Sequence, residues 1–191
     1  MTSRYTKPIT DWLIKCKAIN TEDAELYSYA LKNIVLMFSP IVMALLFGLV
    51  MNSLTQSIVM ILPFMTIRKF SGGYHTKYLW SCLIGSSLLL LLCILTISYV
   101  STWVLFLLTV AASLSLVKFS PIEHENRRLE KEECTRYKKW TTIGVTLYFI
   151  LSIVLMICDL NVYAGSLFTG IILTGALQIP CIMEIRMFTS K

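Results

Sequence analysis

The sequence predicts an all-α, polytopic integral membrane protein with about six transmembrane helices and both termini in the cytoplasm. Two observations carry this. Apolar residues make up 56% of the 191 residues and mean hydropathy is +0.71, well above an ordinary soluble domain. The 17 Lys and Arg fall in four blocks, five in 1–32, three in 68–77, seven in 118–139 and two in 186–191. The connections near 52–53, 101–102 and 159–161 hold neither, and their only charge is Asp159. Blocks and gaps alternate, so the positive-inside rule puts both termini and the loops 68–77 and 118–139 inside.

Residues 1–32 are polar and mixed in charge and lack the apolar core of a signal peptide. Within them, Ile9, Trp12, Leu13 and Cys16 recur at helical spacing over 9–19. That pattern predicts a short amphipathic helix, lying on the inner leaflet or packed on the bundle. Asn20-Thr-Glu-Asp-Ala-Glu reads as a second helix start, a capping residue followed by acids in the first turn.

Spans are expected near 33–51, 54–67, 78–100, 103–117, 140–158 and 162–183, forming a single membrane domain over 1–191. Those at 54–67 and 103–117 are shorter than the roughly 20 residues a span usually needs, and it is the alternation of charge that supports them. Were 54–67 re-entrant, Arg68, Lys69 and Lys77 would lie outside. Pro40 and Pro63 fall inside the first two spans, where neighbours can satisfy the freed carbonyls. The stretch 68–77 reads as a tight turn, with Gly72-Gly73 giving backbone freedom. The stretch 118–139 reads as a turn followed by an exposed helix. In the last span, Gly165, Gly170 and Gly175 would allow close helix packing, and Gln178-Ile-Pro180 could break the helix. Six cysteines imply no disulfide framework, since Cys16, Cys82 and Cys134 fall on the reducing side and Cys93 inside a span. Cys158, near the outer face, and Cys181, at the inner end of the last span, have no evident partner.

One pairing suggests chemistry. The chain has two histidines, and one stands in Arg68-Lys-Phe-Ser-Gly-Gly-Tyr-His75-Thr-Lys-Tyr-Leu-Trp-Ser-Cys82, where a span meets water. Imidazole is the usual base for activating a thiol. On an unbroken helix the two residues share a face but lie roughly 10 Å apart in rise, too far for a hydrogen bond. A His75–Cys82 dyad therefore requires His75 in a turn folded back over the start of the span. The competing reading is a juxtamembrane histidine and a small buried cysteine. Glu123, Asn126 or Glu184 could orient the ring. His124 and Cys134 form a weaker pair, about 80° apart on a helix and within a charged, solvated run. Neither pair has metal-site spacing. A transporter is the other class of function, but solute paths usually carry ionisable groups within the spans, and here these groups sit at segment ends.

Arg68, Gly73, His75 and Cys82 in that spacing resemble the AgrB family, the accessory gene regulator B proteins of Gram-positive quorum sensing. Ser120-Pro-Ile-Glu-His-Glu-Asn-Arg-Arg-Leu129 is similar to the segment that follows the family's fourth span. Length and hydropathy agree over essentially the whole chain. The resemblance implies a bacterial plasma-membrane cysteine endopeptidase with its site at the cytoplasmic face. Cys82 would be the nucleophile and His75 the base, with Arg68 and Gly73 in support. The substrate would be a small AgrD-like precursor peptide, cleaved through a Cys82 thioester and then cyclised. The resemblance further implies a homodimer in the lipid bilayer. No cofactor, metal or nucleic acid is expected. The alternative function is a small permease exporting a peptide signal.

Overall fold

The computed structural model describes residues 6–72, 79–122 and 130–183, with residues 79–83 described by backbone alone. Its elements are helices: α1 Lys7–Lys15, a 3-10 turn Thr21–Asp23, α2 Ala24–Val50, α3 Leu54–Ser71, α4 Leu79–Tyr99, α5 Thr102–Phe119, α6 Lys131–Ile157 and α7 Asn161–Ala176. Among the described residues there is no strand. Four helical stretches, Thr21–Val50, Thr102–Phe119, Lys131–Ile157 and Asn161–Met183, are long and apolar enough to cross a bilayer, and Ile84–Tyr99 is a shorter apolar helix. Leu107 and Leu114 on α5 and Leu147 on α6 are among the large apolar side chains left exposed. Such faces suit lipid, because an aqueous surface rarely carries contiguous apolar patches of that kind. The chain is an all-α polytopic membrane protein.

The chain divides into two compact units, residues 1–42 and 43–191. In the first, Pro8 sits in the opening turn of α1, where its missing N–H costs nothing. Buried Thr10 donates its hydroxyl to the carbonyls of Thr6 and Lys7 at 3.1 and 3.0 Å. Thr6 and Ser28 share a hydroxyl hydrogen bond that ties the start of α1 to α2. Ile9 and Trp12 lie exposed, as an amphipathic surface helix requires. The helix stops at Lys15, short of the expected end, because Lys17 turns left-handed with φ 54°. The Lys17 and Ala18 N–H groups then close back on the carbonyls of Ile14 and Leu13, a Schellman ending. Asn20 precedes the 3-10 turn in extended backbone, but its side chain makes no capping bond. The helix start is where the sequence places it, without the expected cap.

The same ending recurs twice in the second unit. Asn52 (φ 52°) and Asp159 (φ 59°) close α2 and α6, so α3 and α7 begin within three residues. Both polar residues tolerate the left-handed region better than most. The α4–α5 connection is equally short, with Ser101 at the N-cap position of α5. These are the connections without Lys or Arg expected from the sequence. The two shorter expected segments both lie in helices of 18 residues, a rise of about 27 Å, but only α5 is among the stretches apolar enough to cross a bilayer, and α3 is not. Pro40 and Pro63 are accommodated inside α2 and α3. The exposed helix expected in 118–139 exists as the first turns of α6, opened by a capping box in which Glu130 N–H donates to Glu133 at 3.4 Å.

Helix α7 organises the second unit. It packs against α3, α4, α5 and α6, and it is buried from Ala164 to Gly175 apart from Ile172. Ile67, Leu116, Val145 and Ile171 bring α3, α5, α6 and α7 into one cluster. Phe168 meets Phe106 edge-on at 5.9 Å, and Phe106 stacks on Phe149 at 5.8 Å. Thr169 and Thr174 return their hydroxyls to the carbonyls of Gly165 and Gly170, at 2.8 and 2.9 Å, so burial leaves neither hydroxyl unmatched.

The glycines of α7 are used inside the chain. A Cβ on Gly170 would overlap Met60 O and approach Pro63 Cγ to 2.6 Å, and one on Gly175 would stand 3.0 Å from Ala112 Cβ. The close packing expected of this glycine series therefore joins α7 to α3 and α5. A Gly170→Ala variant should lose about 1–3 kcal/mol from overpacking against backbone that cannot move aside. Gly85, with nothing within 4 Å of its Cβ position, should tolerate alanine. Thermal unfolding in detergent micelles checks both, and an unchanged Gly170→Ala midpoint would remove the α3–α7 contact as a packing constraint.

Candidate functional site

The described part of the candidate site lies where α3, α5 and α7 end together. Gly170 rests on Met60 and Pro63, and eight residues further along each helix, about 12 Å of rise, stand Gln178 and Ser71. Thr109 hydroxyl reaches Phe168 O at 3.4 Å and Gly175 lies against Ala112, so α5 runs parallel to α7 and brings Ser120 to the same level. All three polar side chains are buried.

They form one hydrogen-bonded knot. Ser71 O accepts the Ile122 N–H at 3.0 Å and Gln178 Nε2–H at 3.3 Å. The second Gln178 Nε2–H donates to Ser120 Oγ at 2.8 Å. The amide orientation follows from its partners, because a carbonyl oxygen can only accept. Gln178 Oε1 is buried and makes no hydrogen bond. The Ser120–Pro121 bond inside the knot is cis.

Gly72 is required twice over. Its φ of 71° lies in the left-handed region, and its Cβ position falls 2.7 Å from Ile122 O. Only a glycine fits that backbone against the other without strain. The freedom read from Gly72-Gly73 is therefore needed first at Gly72, for a contact between two loops.

Arg68 lies half-buried one turn before this point, with its guanidinium 5.5 Å from the Phe64 ring centroid, within cation–π range. Lys69 sits over Phe70, which stacks on Trp140 at 6.0 Å and meets Tyr137 edge-on. The basic opening of α6, the Arg68–Lys69 pair and Lys118 are thus at one end of the unit.

Cys82 lies in the opening turns of the described part of α4, by backbone alone. Gly73 and His75 lie outside the described residues, and so does the dyad's geometry. Glu123, His124, Asn126 and Glu184 lie outside them as well. Cys134, the cysteine of the weaker pair, is half-buried on α6. Among the described residues no disulfide is formed, and no cluster of three His, Cys, Asp or Glu could hold a metal ion.

Ser71, Ser120 and Gln178 were not singled out as site residues by the sequence. The available signal was Gln178 itself, an amide in an apolar span, since polar groups at membrane depth are costly and mark function or structure. The helix break expected there is present, because α7 ends at Ala176 and a turn at 177–178 precedes helical residues 179–183.

The family model for AgrB, Accessory gene regulator B, matches residues 6–183. The chain belongs to the AgrB family. No curated protein and no solved structure matches it. The match spans every helix among the described residues, α1 to α7. Membership supports a role in agr quorum-sensing peptide processing, in a family whose members act in peptide maturation on AgrD-like precursors.

A Gly72→Ala variant of this AgrB protein should lose about 1–3 kcal/mol to backbone strain and unfold at a lower temperature than Gly85→Ala. Equal midpoints in detergent would show that the Gly72–Ile122 contact does not constrain the fold.

Proposed function

We propose that the protein is a membrane-embedded cysteine endopeptidase that cleaves the C-terminal part from an AgrD-like precursor and enables the remainder to cyclise into a signalling peptide. The observation that carries this reading is the AgrB match across residues 6–183, combined with His75 and Cys82 in the matched span. The knot at Ser71, Ile122 and Gln178 lies close before the motif residues Gly73 and His75 in sequence.

In this reading His75 takes the Cys82 proton, and the thiolate attacks the carbonyl at the C-terminal boundary of the future signal. The peptide C–N bond breaks, and the leaving amine takes the proton from His75. Cys82 is left acylated as a thioester. An internal thiol or hydroxyl of the precursor then attacks that carbonyl and gives its proton, through His75, to the departing Cys82 thiolate. Exchange of a thioester with a thiol is nearly isoenergetic, so closure of a thiolactone requires no ATP. Water must be kept from the acyl-enzyme, which a site at the membrane interface favours. Arg68 would bind a peptide carboxylate or carbonyl through its planar fork. Gly73 would let the chain turn toward His75.

We place six spans in the bilayer, α2 to α7, with both termini and the site cytoplasmic. Support comes from the basic residues gathered at one end of α3, α5 and α6, and from the absence of Lys and Arg at the other three connections. The family's homodimer would need a surface other than the Gly170 and Gly175 face, which is occupied within the chain.

In liposomes containing the precursor, Cys82→Ala should abolish cleavage, and His75→Ala should slow it by about 10²–10⁴-fold, the usual contribution of a general base. Cys134→Ala should cleave at the wild-type rate. Intact-mass analysis of the precursor reads all three. Cleavage that persists in folded Cys82→Ala would bring the permease reading forward, and cleavage lost in folded Cys134→Ala would point to the other pair.

A further inference from the structure

We propose that α1 is an anchor for an anionic lipid surface, seated with Ile9, Trp12 and Cys16 toward the acyl chains and its lysines among the headgroups. The inference does not depend on the peptidase reading. Two facts decide between lying on the bilayer and packing on the bundle. The first is which face of α1 meets the protein. Thr6 and Thr10 are buried, and the Thr6 hydroxyl is hydrogen-bonded to that of Ser28 on α2. A helix packed on the bundle through its apolar stripe would show the reverse. Ile9, Trp12 and Cys16, at i, i+3 and i+7, instead form an exposed stripe, about 100–160° round the helix from Thr10. Leu13 and Ile14 flank the threonines half-buried. Within residues 1–42 the hydroxyl face is therefore the one in contact with the chain, and the apolar stripe points away.

The second fact is the level at which α1 is held. Helix α2 belongs to the stretch Thr21–Val50, long and apolar enough to cross a bilayer. Its sequence is free of charge from Ile34 onward, after Lys32 and Asn33. Ser28 stands six residues before Ile34, about 9 Å of rise. The headgroup layer is about 5–8 Å deep on each side, and a helix with its side chains has a radius of about 5–6 Å. A helix held at Ser28 therefore reaches into that layer when α2 stands along the bilayer normal, and tilt brings it closer. Tyr27 and Tyr29 are exposed beside Ser28, aromatic side chains of the kind that gather at this level. Charge then names the surface. Lys7, Lys15 and Lys17 are exposed on or just after α1, against Asp11 alone. The acids Glu22, Asp23 and Glu25 stand at the opening of the next helical stretch, where they complement the helix dipole. Lys15 follows Trp12 by three residues, so its stem lies along the edge of the stripe with the ammonium free to meet headgroups. Exposed cations beside an exposed apolar stripe match an anionic lipid surface.

The test uses the full chain in vesicles, with Trp12 emission taken as the difference between wild type and Trp12→Phe. The vesicles contain phosphatidylcholine alone or with phosphatidylglycerol, with and without brominated acyl chains. A seated α1 predicts Trp12 emission that bromolipid quenches and acrylamide does not. The quenching should deepen with phosphatidylglycerol and weaken as salt is raised. It should lose its dependence on phosphatidylglycerol in the double variant Lys15→Gln/Lys17→Gln. All three substituted positions are exposed, so the variants should fold, and a wild-type thermal midpoint checks that they do. Emission quenched by acrylamide and untouched by bromolipid would leave α1 in water and overturn the proposal. Shielding from both quenchers would place the stripe against protein and overturn it equally. Bromolipid quenching indifferent to phosphatidylglycerol would overturn the match to an anionic surface.

Discussion

The close approach of α7 to α3 at Gly170 sets the register on which the candidate site depends. Because Gly170 carries no side chain, Met60 and Pro63 can lie directly on α7. From that crossing, α3 and α7 rise together by equal numbers of residues, and their ends meet as Ser71 and Gln178. Helix association in lipid lacks a hydrophobic drive between helices and relies on close packing and interhelical hydrogen bonds. This unit uses both in sequence, first at the Gly170 crossing, then two turns on at the Gln178 amide.

The physical consequence is a hydrogen-bonded frame that joins the ends of α3, α5 and α7. The carbonyl of Ser71 serves both the neighbouring loop and the last helix, and Gly72 allows Ile122 to lie against it. Buried polar networks are costly when only partly satisfied, and here both N–H donors of Gln178 are matched while its Oε1 is buried without a partner among the described residues. In the proposed peptidase, acid–base chemistry between residues seven apart in sequence requires the chain between them to turn back. A turn can be held only if its root is held.

Much of the fold was legible in the sequence, for identifiable reasons. The gaps between Lys and Arg blocks located the connections at Asn52, Ser101 and Asp159. Hydropathy underestimated α3, since Arg68 through Ser71 are largely polar yet continue the helix. It likewise drew the span at 140–158 without showing that Lys131–Lys139 belong to the same helix. Asn20 marks a helix start without capping it by its side chain, because the 3-10 turn supplies the local bonds. The series Gly165, Gly170 and Gly175 announces close packing but gives no address, and the address lies on α3 and α5. The site divides in the same way. Local spacing singled out His75 and Cys82 as candidates. Nothing local could reveal that Gln178 would meet Ser71 and Ser120, because partners so distant in sequence are chosen by helix register alone.

The central claim is that Cys82 becomes acylated by the precursor, and it can be read directly. Wild-type protein in liposomes would be mixed with precursor, quenched in acid and weighed intact. The account predicts a species heavier by the N-terminal portion of the cleaved precursor, located at Cys82 and discharged by hydroxylamine. Precursor cleaved with Cys82 unmodified at every time point, under conditions that preserve a thioester standard, would contradict it.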